Sequence, residues 1–195
     1  MCGFTGYFDN NFNHEELIIK EMSDVIYNRG PDSYGIYINQ DIGISLGHRR
    51  LSIQDLSSSG SQPMKSKNNR FIIVFNGEIY NHFELRKKIN KENKNYFWVG
   101  KSDTETLISA VEVFGLEKTL GLINGMFSFA LLDVREKQLY LCRDRYGEKP
   151  LYYGLNNGVF FFGSQPKSFK THPKWVSEIC YEALNDYLIR GYIGG

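Results

Sequence analysis

The side chain with the clearest capacity for chemistry is the thiol of Cys2, which lies one peptide bond from the start of the chain. Once Met1 is removed, which a small second residue permits, Cys2 carries a free α-amino group beside its thiol. Such an N-terminal residue can act as a nucleophile while its own amine, with a pKa of about 8, takes the thiol proton. A buried structural thiol is the ordinary alternative. Cys2 is therefore a candidate nucleophile that needs support from other residues.

Five further residues could serve acyl transfer on a small amino acid. Asn76 and Gly77 offer a side-chain amide and a backbone N–H side by side, which could stabilise an oxyanion, although Asn-Gly pairs usually form turns. Arg50 could clamp a carboxylate in bidentate fashion, with solvated charge as the alternative. Glu78 could hold a substrate amine or amide. Asp103 could hold the amine of an amino acid whose carboxylate binds Arg50, or could simply be the favourable acid at a helix start.

The composition excludes several classes of function. The chain has 195 residues, of which 23 are basic and 22 acidic, and a net charge of +1 argues against binding nucleic acid. Three widely spaced cysteines predict neither a disulfide framework nor a zinc site and favour a reducing compartment. The N-terminus lacks a signal-peptide pattern, and no segment approaches the ~20 apolar residues of a membrane span. We therefore expect one cytoplasmic domain over residues 1–195 that needs no metal and binds no membrane.

Alternating and helical patterns predict the elements that position these residues. Residues 2–8 read as a strand that brings the thiol to a sheet end, and a helix follows from a cap at Asn13 to about Asn28. A hairpin over residues 34–46 then delivers Arg50 at the end of its second strand.

The second half of the chain predicts another strand group with helices beside it. A buried strand over residues 71–75 is closed by the turn-like residues 76–78, and a helix from about Asn81 turns Phe83, with Leu85 and Ile89, inward. A capping box at Ser102 begins a helix that ends at Gly115. Hairpins over 126–143 and 151–164 and a helix over 181–190 complete about eight strands. The pattern predicts an α+β fold of mostly antiparallel sheets layered with helices, without a Gly-rich phosphate loop.

Seven stretches of the chain carry a resemblance to a known family. The chain resembles the class II glutamine amidotransferase domain of glutamine-hydrolysing asparagine synthetases nearly end to end, and as a set the stretches are highly specific. They are MCGFTGYF, RGPDSYG, LGHRRLSIQDLSSSGSQPM, FNGEIYNHFELR, SDTET, GMFSFALLD and RDRYGEKPLYYG.

The resemblance implies a four-layer αββα N-terminal nucleophile hydrolase sandwich and a role for each matched residue. By position, Cys2 matches the nucleophile, and Asn76 and Gly77 match the oxyanion donors. Arg50 matches the clamp on the glutamine carboxylate. Glu78 and Asp103 match the contacts of the glutamine amine, and Arg29 would lie near the thiol.

The reaction implied by the resemblance is attack of Cys2 on the glutamine side-chain amide, release of ammonia, and hydrolysis of the thioester to glutamate. This half needs no cofactor. In the family the ammonia reaches a C-terminal synthetase domain, where ATP and magnesium activate aspartate. We expect that domain, or a separate synthetase subunit, as the partner of this chain, and the resemblance leaves a homodimer open.

Two other functions stay open at this point. The fold could serve as a non-catalytic glutamine sensor or interaction module in which Met1 blocks Cys2. Alternatively, the same chemistry could feed ammonia to an acceptor other than aspartate, such as a sugar phosphate. The residues of this chain do not identify the acceptor.

Overall fold

Two antiparallel sheets form the centre of the molecule in the computed structural model, which describes residues 1–10 and 15–193. The first sheet has the strand order β2-β3-β1-β9-β8, and the second has the order β4-β5-β6-β7. The strands are β1 (Gly3–Phe8), β2 (Ser33–Asn39), β3 (Ile44–Arg50), β4 (Met64–Lys65), β5 (Phe71–Ile79), β6 (Gly125–Asp133), β7 (Gln138–Arg143), β8 (Tyr152–Asn156) and β9 (Val159–Gly163).

Helices lie on the outer face of each sheet, apart from the last helix, in which no residue is buried. The α-helices are α1 (Glu16–Asp24), α2 (His82–Glu92), α3 (Asp103–Phe114), α4 (Leu116–Leu122) and α5 (Tyr181–Arg190). Short 3₁₀ helices span Tyr27–Arg29, Ser58–Gly60 and Pro166–Thr171. Among the described residues, no helix is both long enough and apolar enough to cross a membrane.

Each sheet is buried on both faces, and three apolar clusters fill the spaces between the layers. The central cluster fills the space between the sheets, with Phe4 and Leu46 of the first sheet facing Val74 and Leu132 of the second. A second cluster packs α2 and α3 on the outer face of the second sheet. A third packs α1 and the last 3₁₀ helix on the outer face of the first sheet. The layers therefore run helix, sheet, sheet, helix, as the α+β prediction requires.

The predicted hairpins, the Ser102 cap and the last helix are confirmed by the structure. The hydroxyl of Ser102 accepts the backbone N–H of Glu105 at 3.2 Å, and α3 begins at Asp103. A turn follows β7, in which the Gly147 N–H donates to the carbonyl of Asp144 at 3.0 Å. The strand β4 and the helix α4 were not predicted, since both are short and irregular in pattern.

Three details of the predicted elements are wrong. The first helix ends at Asp24 and passes into a 3₁₀ turn, while its predicted cap at Asn13 lies outside the described residues. The strand β5 does not close at Phe75 but continues to Ile79, because β6 pairs with it along its whole length. In α2 the exposed ring is Phe83, while its neighbour His82 is buried.

Candidate active site

The central strand β1 of the first sheet is preceded by Cys2, which lies directly opposite the end of β3. Gly3 pairs with Arg49, so the preceding residue Cys2 falls opposite Arg50 and its side chain shares the face that looks toward the second sheet. The Leu51 N–H donates to the Cys2 sulfur at 3.3 Å, and the same sulfur lies 3.5 Å from the Leu51 carbonyl oxygen. The thiol is therefore held by the backbone that continues from β3.

Arg29 holds the backbone of the nucleophile rather than its sulfur. Its Nε donates to the carbonyl oxygen of Cys2 at 2.9 Å. In the orientation of the Asn76 amide that gives both of its polar atoms partners, Nδ2 donates to the same carbonyl at 2.9 Å and Oδ1 accepts from Arg29 at 3.3 Å. Asn76 is almost fully buried. Arg29 and Asn76 together fix the direction of the Cys2 peptide.

Three alternate backbone N–H groups of β5, those of Phe75, Gly77 and Ile79, point to the side away from β6. Phe127, the partner of Gly77 in β6, directs its own N–H and carbonyl to Asp144 instead, so the Gly77 N–H points away from β6. The N–H groups two residues to either side lie on the same edge and have side-chain acceptors: Phe75 donates to Gln62 Oε1 at 2.6 Å and Ile79 donates to Asp103 Oδ2 at 2.9 Å.

The Gly77 N–H lies between the N–H groups of Phe75 and Ile79, which both donate to side chains. In the part of the chain that the structure describes, no side chain accepts the Gly77 N–H. The pocket in front of it is lined by Cys2, Arg50 and Asp103 among others. A free N–H between two occupied ones, facing a pocket that also contains a thiol, has the arrangement of an oxyanion donor.

Arg50 enters the pocket from β3 and is held from behind by the loop that follows. One terminal nitrogen donates to the Ser57 carbonyl at 2.8 Å, and the other donates to the Asp55 carbonyl. Asp55 stabilises this loop because its carboxylate accepts the N–H of Ser57 and the N–H of Lys101, each at 2.9 Å. The hydroxyl of Ser57 and these N–H groups lower the pKa of Asp55 to about 2. The Arg50 guanidinium is thus oriented before any ligand arrives.

Asp103 brings a carboxyl group into the pocket at the first residue of α3. Burial raises the pKa of Asp103 to about 6, against the opposing effect of the N–H groups of Ile79 and Thr104. The nearby Glu78 adds a further rise to this pKa. Glu78 itself accepts a hydrogen bond from the side chain of Gln54 at 3.2 Å. Asp103 and Glu78 therefore both line the pocket, together with Asp55 of the loop that anchors Arg50.

These side chains line one half-open pocket of about 130 Å³. Six of the seven residues selected from the sequence line it, and the seventh, Arg29, lies behind the nucleophile. The six are Cys2, Arg50, Asn76, Gly77, Glu78 and Asp103. The structure thus brings the whole predicted set together, while the role of each residue stays a prediction.

Three further residues at the pocket had no role assigned from the sequence. Leu51 supplies the backbone N–H that contacts the thiol, and Gln62 is buried beside the β5 edge. Lys149 is also buried and its ammonium lies 3.1 Å from the sulfur of Met1. Leu51 could have been found from its place beside Arg50, but no local pattern marks Gln62 or Lys149.

The electrostatics of the pocket keep the thiol protonated while Met1 is present. Burial raises the pKa of the Cys2 thiol, and the hydrogen bond from Leu51 and the positive charge of the chain's N-terminus offset this rise only in part. Behind the pocket, burial lowers the pKa of His48 to about 4, so this ring is neutral at ordinary pH. In the part of the chain that the structure describes, no cluster of side chains could hold a metal ion.

Two face-to-face antiparallel sheets between helices, with a cysteine at the head of a central strand, define the N-terminal nucleophile hydrolase class of fold. The chain belongs to the glutamine amidotransferase domain family, whose family model matches residues 1–194. Both the predicted fold class and the predicted family are therefore confirmed.

Known proteins similar to the chain extend this assignment. It is 38% identical over 192 residues to a glutamine-hydrolysing asparagine synthetase, number 1, of Bacillus subtilis, covering 96% of this chain and 29% of that protein. It is 36% identical over 200 residues to the amidase chry2 of Gibberella zeae, covering 95% and 29%. The chain thus spans less than a third of each of these two curated relatives.

A solved structure supports the fold independently of close sequence similarity. The glutamine phosphoribosylpyrophosphate amidotransferase of Bacillus subtilis, complexed with ADP and GMP, superposes with a TM-score of 0.70 at 20% identity. The match covers 87% of this chain and 43% of that one. At this level of identity the likeness concerns the fold alone.

Proposed function

We propose that this domain hydrolyses the side-chain amide of glutamine through a thioester on Cys2 and supplies the released ammonia to an ATP-dependent amidation. One observation carries the proposal: the Cys2 thiol and the open N–H of Gly77 share a pocket with a preformed guanidinium and a buried carboxyl group. Arg50 would bind the α-carboxylate of glutamine, while Asp103 and Glu78 would bind its α-ammonium. The side-chain amide would then lie near the thiol.

Removal of Met1 is the first requirement of this mechanism. While Met1 is attached, the nitrogen of Cys2 is a peptide nitrogen without basicity, and the thiol has a raised pKa. Once Met1 is removed, the free amine can accept the thiol proton directly or through water. Loss of the Met1 side chain would also vacate space in the pocket that it now lines.

The chemical steps then follow in order. The Cys2 sulfur bonds to the amide carbon of glutamine, and the carbonyl oxygen, now negatively charged, accepts hydrogen bonds from the Gly77 N–H and the Asn76 amide. The carbon–nitrogen bond breaks, and the nitrogen leaves as ammonia with the proton held by the Cys2 amine. Water attacks the thioester, which releases glutamate and restores the thiol. No step requires a cofactor.

The partner we propose is a synthetase domain or subunit that consumes the ammonia. Relatives that span more than three times the length of this chain are named glutamine-hydrolysing asparagine synthetases, which supports aspartate as the acceptor. ATP with magnesium would activate the aspartate in that partner. The reactive thiol favours the reducing cytoplasm.

An acceptor other than aspartate is the second candidate. The observation that favours it is that the similar protein of Gibberella zeae is named an amidase. Glutamine hydrolysis is common to both candidates, so an assay of glutamate release does not distinguish them. Aspartate, ATP and magnesium are then added to the complex of this protein with its partner. Formation of asparagine would identify aspartate as the acceptor, and its absence would favour another acceptor.

The test of glutamine hydrolysis uses protein whose intact mass shows that Met1 is absent. Glutamate release from glutamine is measured alongside labelling by a diazoketone analogue of glutamine, with the modified cysteine located by peptide mass. We expect glutamate and a single label on Cys2. Absence of both glutamate and label would refute the proposal. Retention of Met1 in protein isolated from cells would favour the sensor hypothesis.

The other cysteines serve as internal controls. Burial raises the pKa of Cys142 to about 11, so its thiol should stay unlabelled, whereas exposed Cys180 would report any labelling that does not depend on the pocket. Cys2→Ala should abolish both glutamate release and labelling by the analogue. Cys180→Ser should preserve both, because this residue lies at the N-cap of α5 and lines no part of the pocket.

A further inference from the structure

Gln62 is a buried side chain that links two walls of the pocket. Its Oε1 accepts the backbone N–H of Phe75 at 2.6 Å, and its Nε2 donates to the hydroxyl of Thr104 at 3.3 Å. Phe75 precedes Asn76 on β5, and Thr104 follows Asp103 on α3. One amide therefore connects the strand of the oxyanion donors to the helix of the amine contact.

The Gln62 amide replaces a missing bond of the sheet. In β4, Met64 pairs with Ile73 and Lys65 pairs with Ile72, so continuing this register places Gln62 opposite Phe75. The backbone of Gln62 does not continue the ladder, because its carbonyl turns toward β2: a Cβ on Gly35 would lie 2.1 Å from that oxygen. The side-chain carbonyl thus takes the Phe75 N–H that a backbone carbonyl of β4 would have taken.

The side chain of His48 binds the carbonyl group of Phe75, whose N–H is bound by Gln62. The Nε2 of His48 donates to the Phe75 carbonyl at 3.1 Å from across the gap between the sheets. The ring is fully buried and neutral, so it presents this N–H throughout the working pH range. Phe75 is thereby fixed on both its N–H and its carbonyl two residues before Gly77.

We propose that Gln62 is a positioning residue for glutamine hydrolysis: it sets the direction of the Gly77 N–H through Phe75 and the place of Asp103 through Thr104. This inference rests on the proposed function of the pocket. Oxyanion donors act only when they point at the place where charge develops, and a misplacement of about 1 Å can cost about a hundredfold in rate. Among the described residues, no strand lies beside Gly77 on the side of β5 that faces away from β6, so the Gln62 amide supplies that precision.

The experiment compares four variants of the Met1-free protein. Gln62→Met keeps the side-chain length and removes both hydrogen bonds, whereas Thr104→Val removes only the link to α3. Thr104→Ser restores the hydroxyl. Ser109→Ala is the matched control, because it also removes a hydrogen bond of α3, the one that Ser109 accepts from the Tyr96 hydroxyl at 2.5 Å. Ser109 is buried but does not line the pocket.

Three measurements separate positioning from general destabilisation. They are the kcat and KM for glutamate release and the rate at which iodoacetamide alkylates Cys2, all taken well below the melting temperature. For Gln62→Met we expect kcat to fall about tenfold or more while iodoacetamide alkylation stays within about twofold of wild type. Thr104→Val should raise KM severalfold with a smaller effect on kcat, and Thr104→Ser should restore KM.

Each outcome decides the inference. Wild-type kcat in Gln62→Met would overturn it, as would an equal fall of kcat and of the alkylation rate. An equal fall of kcat in Ser109→Ala would also overturn it. If Gln62→Met does not fold, the Thr104 pair decides, and equal KM values for Thr104→Val and Thr104→Ser would overturn the link to α3. Absence of glutamate from the wild-type protein would instead refute the proposed function itself.

Discussion

Binding of glutamine should depend on pH near 6 because of Asp103. Burial first, and the charge of Glu78 to a smaller extent, raise the pKa of this carboxyl group from 3.8 to about 6. Below pH 6 the group is neutral and cannot pair with the substrate's α-ammonium, whereas above pH 6 it can. Affinity for glutamine should therefore rise as pH increases through 6 and level off above 7.

The size of the effect follows from the fraction of Asp103 that is ionised. At pH 5 about one molecule in eleven carries the charge, so the Kd should be about tenfold higher than on the plateau if only the ionised form binds. In Asp103→Asn this pH dependence should vanish, and the plateau Kd should rise by about ten- to a hundredfold through loss of a charged hydrogen bond.

The assay measures binding without turnover. Glutamine is titrated into Met1-free Cys2→Ala protein by calorimetry from pH 5 to pH 8, which removes any contribution of the thiol to the pH profile. Measurement in buffers of different ionisation enthalpy should show release of about one proton on binding at pH 5. Glu84→Gln is the matched control, because it removes an exposed acid from the first turn of α2 and should keep the profile.

Two results would refute this reasoning. A Kd that does not change between pH 5 and pH 7 would show that Asp103 does not titrate there or does not contact the ammonium. The same pH dependence in Cys2→Ala and in Cys2→Ala with Asp103→Asn would assign it to another group. The fold itself offers an independent check: since folding raises this pKa, ionised Asp103 destabilises the domain at pH 7, and Asp103→Asn should raise the melting temperature there.

Three further predictions concern other parts of the site. Gly77→Ala should lower the free energy of unfolding by about 1–3 kcal/mol, because its Cβ would lie 2.3 Å from the Met126 carbonyl oxygen, while Gly154→Ala, with nothing within 4 Å of its Cβ, should change it little in urea denaturation. Arg50→Lys should raise the KM for glutamine about tenfold or more and leave iodoacetamide alkylation of Cys2 unchanged, because a lysine cannot keep both loop carbonyls and a bidentate ligand. Asp144→Asn should destabilise the domain at pH 7. Burial works against the ionised form of Asp144, but four backbone N–H groups hold its pKa below the usual range, so the difference from wild type should shrink as melting is measured at lower pH.

The sequence predicts most of the layered architecture because its strands and helices differ clearly in period. The hairpin joining β8 to β9 is marked by Asn156 through Gly158, and α3 is marked by its Ser102 cap. The pattern fails where tertiary contacts override a local signal. Residues 76–78 have turn-forming types, yet β6 pairs with them and extends β5 to Ile79. Likewise, helical spacing alone cannot say whether His82 or Phe83 faces the sheet.

The candidate nucleophile and its charged neighbours could be selected from the sequence because their chemistry is a property of residue type. The contacts among these residues could not be predicted, because they depend on the directions in which the folded chain points each polar group. Asn76 was selected as an oxyanion donor, but one of its amide hydrogens is already engaged by the Cys2 carbonyl, so only the other can serve the substrate. Arg29 contacts the same carbonyl and not the sulfur.

The donor function of Gly77 depends on the pairing of β5 rather than on the Asn-Gly turn that the sequence suggests. In a strand, successive backbone N–H groups point to opposite sides, and in β5 the Gly77 N–H points to the side away from β6. The short β4 stops before reaching that edge, and Gln62 and Asp103 occupy the positions on either side. The open position of the Gly77 N–H at the pocket therefore follows from the length of β4, a feature that acts across the sheet and leaves no local trace beside Gly77.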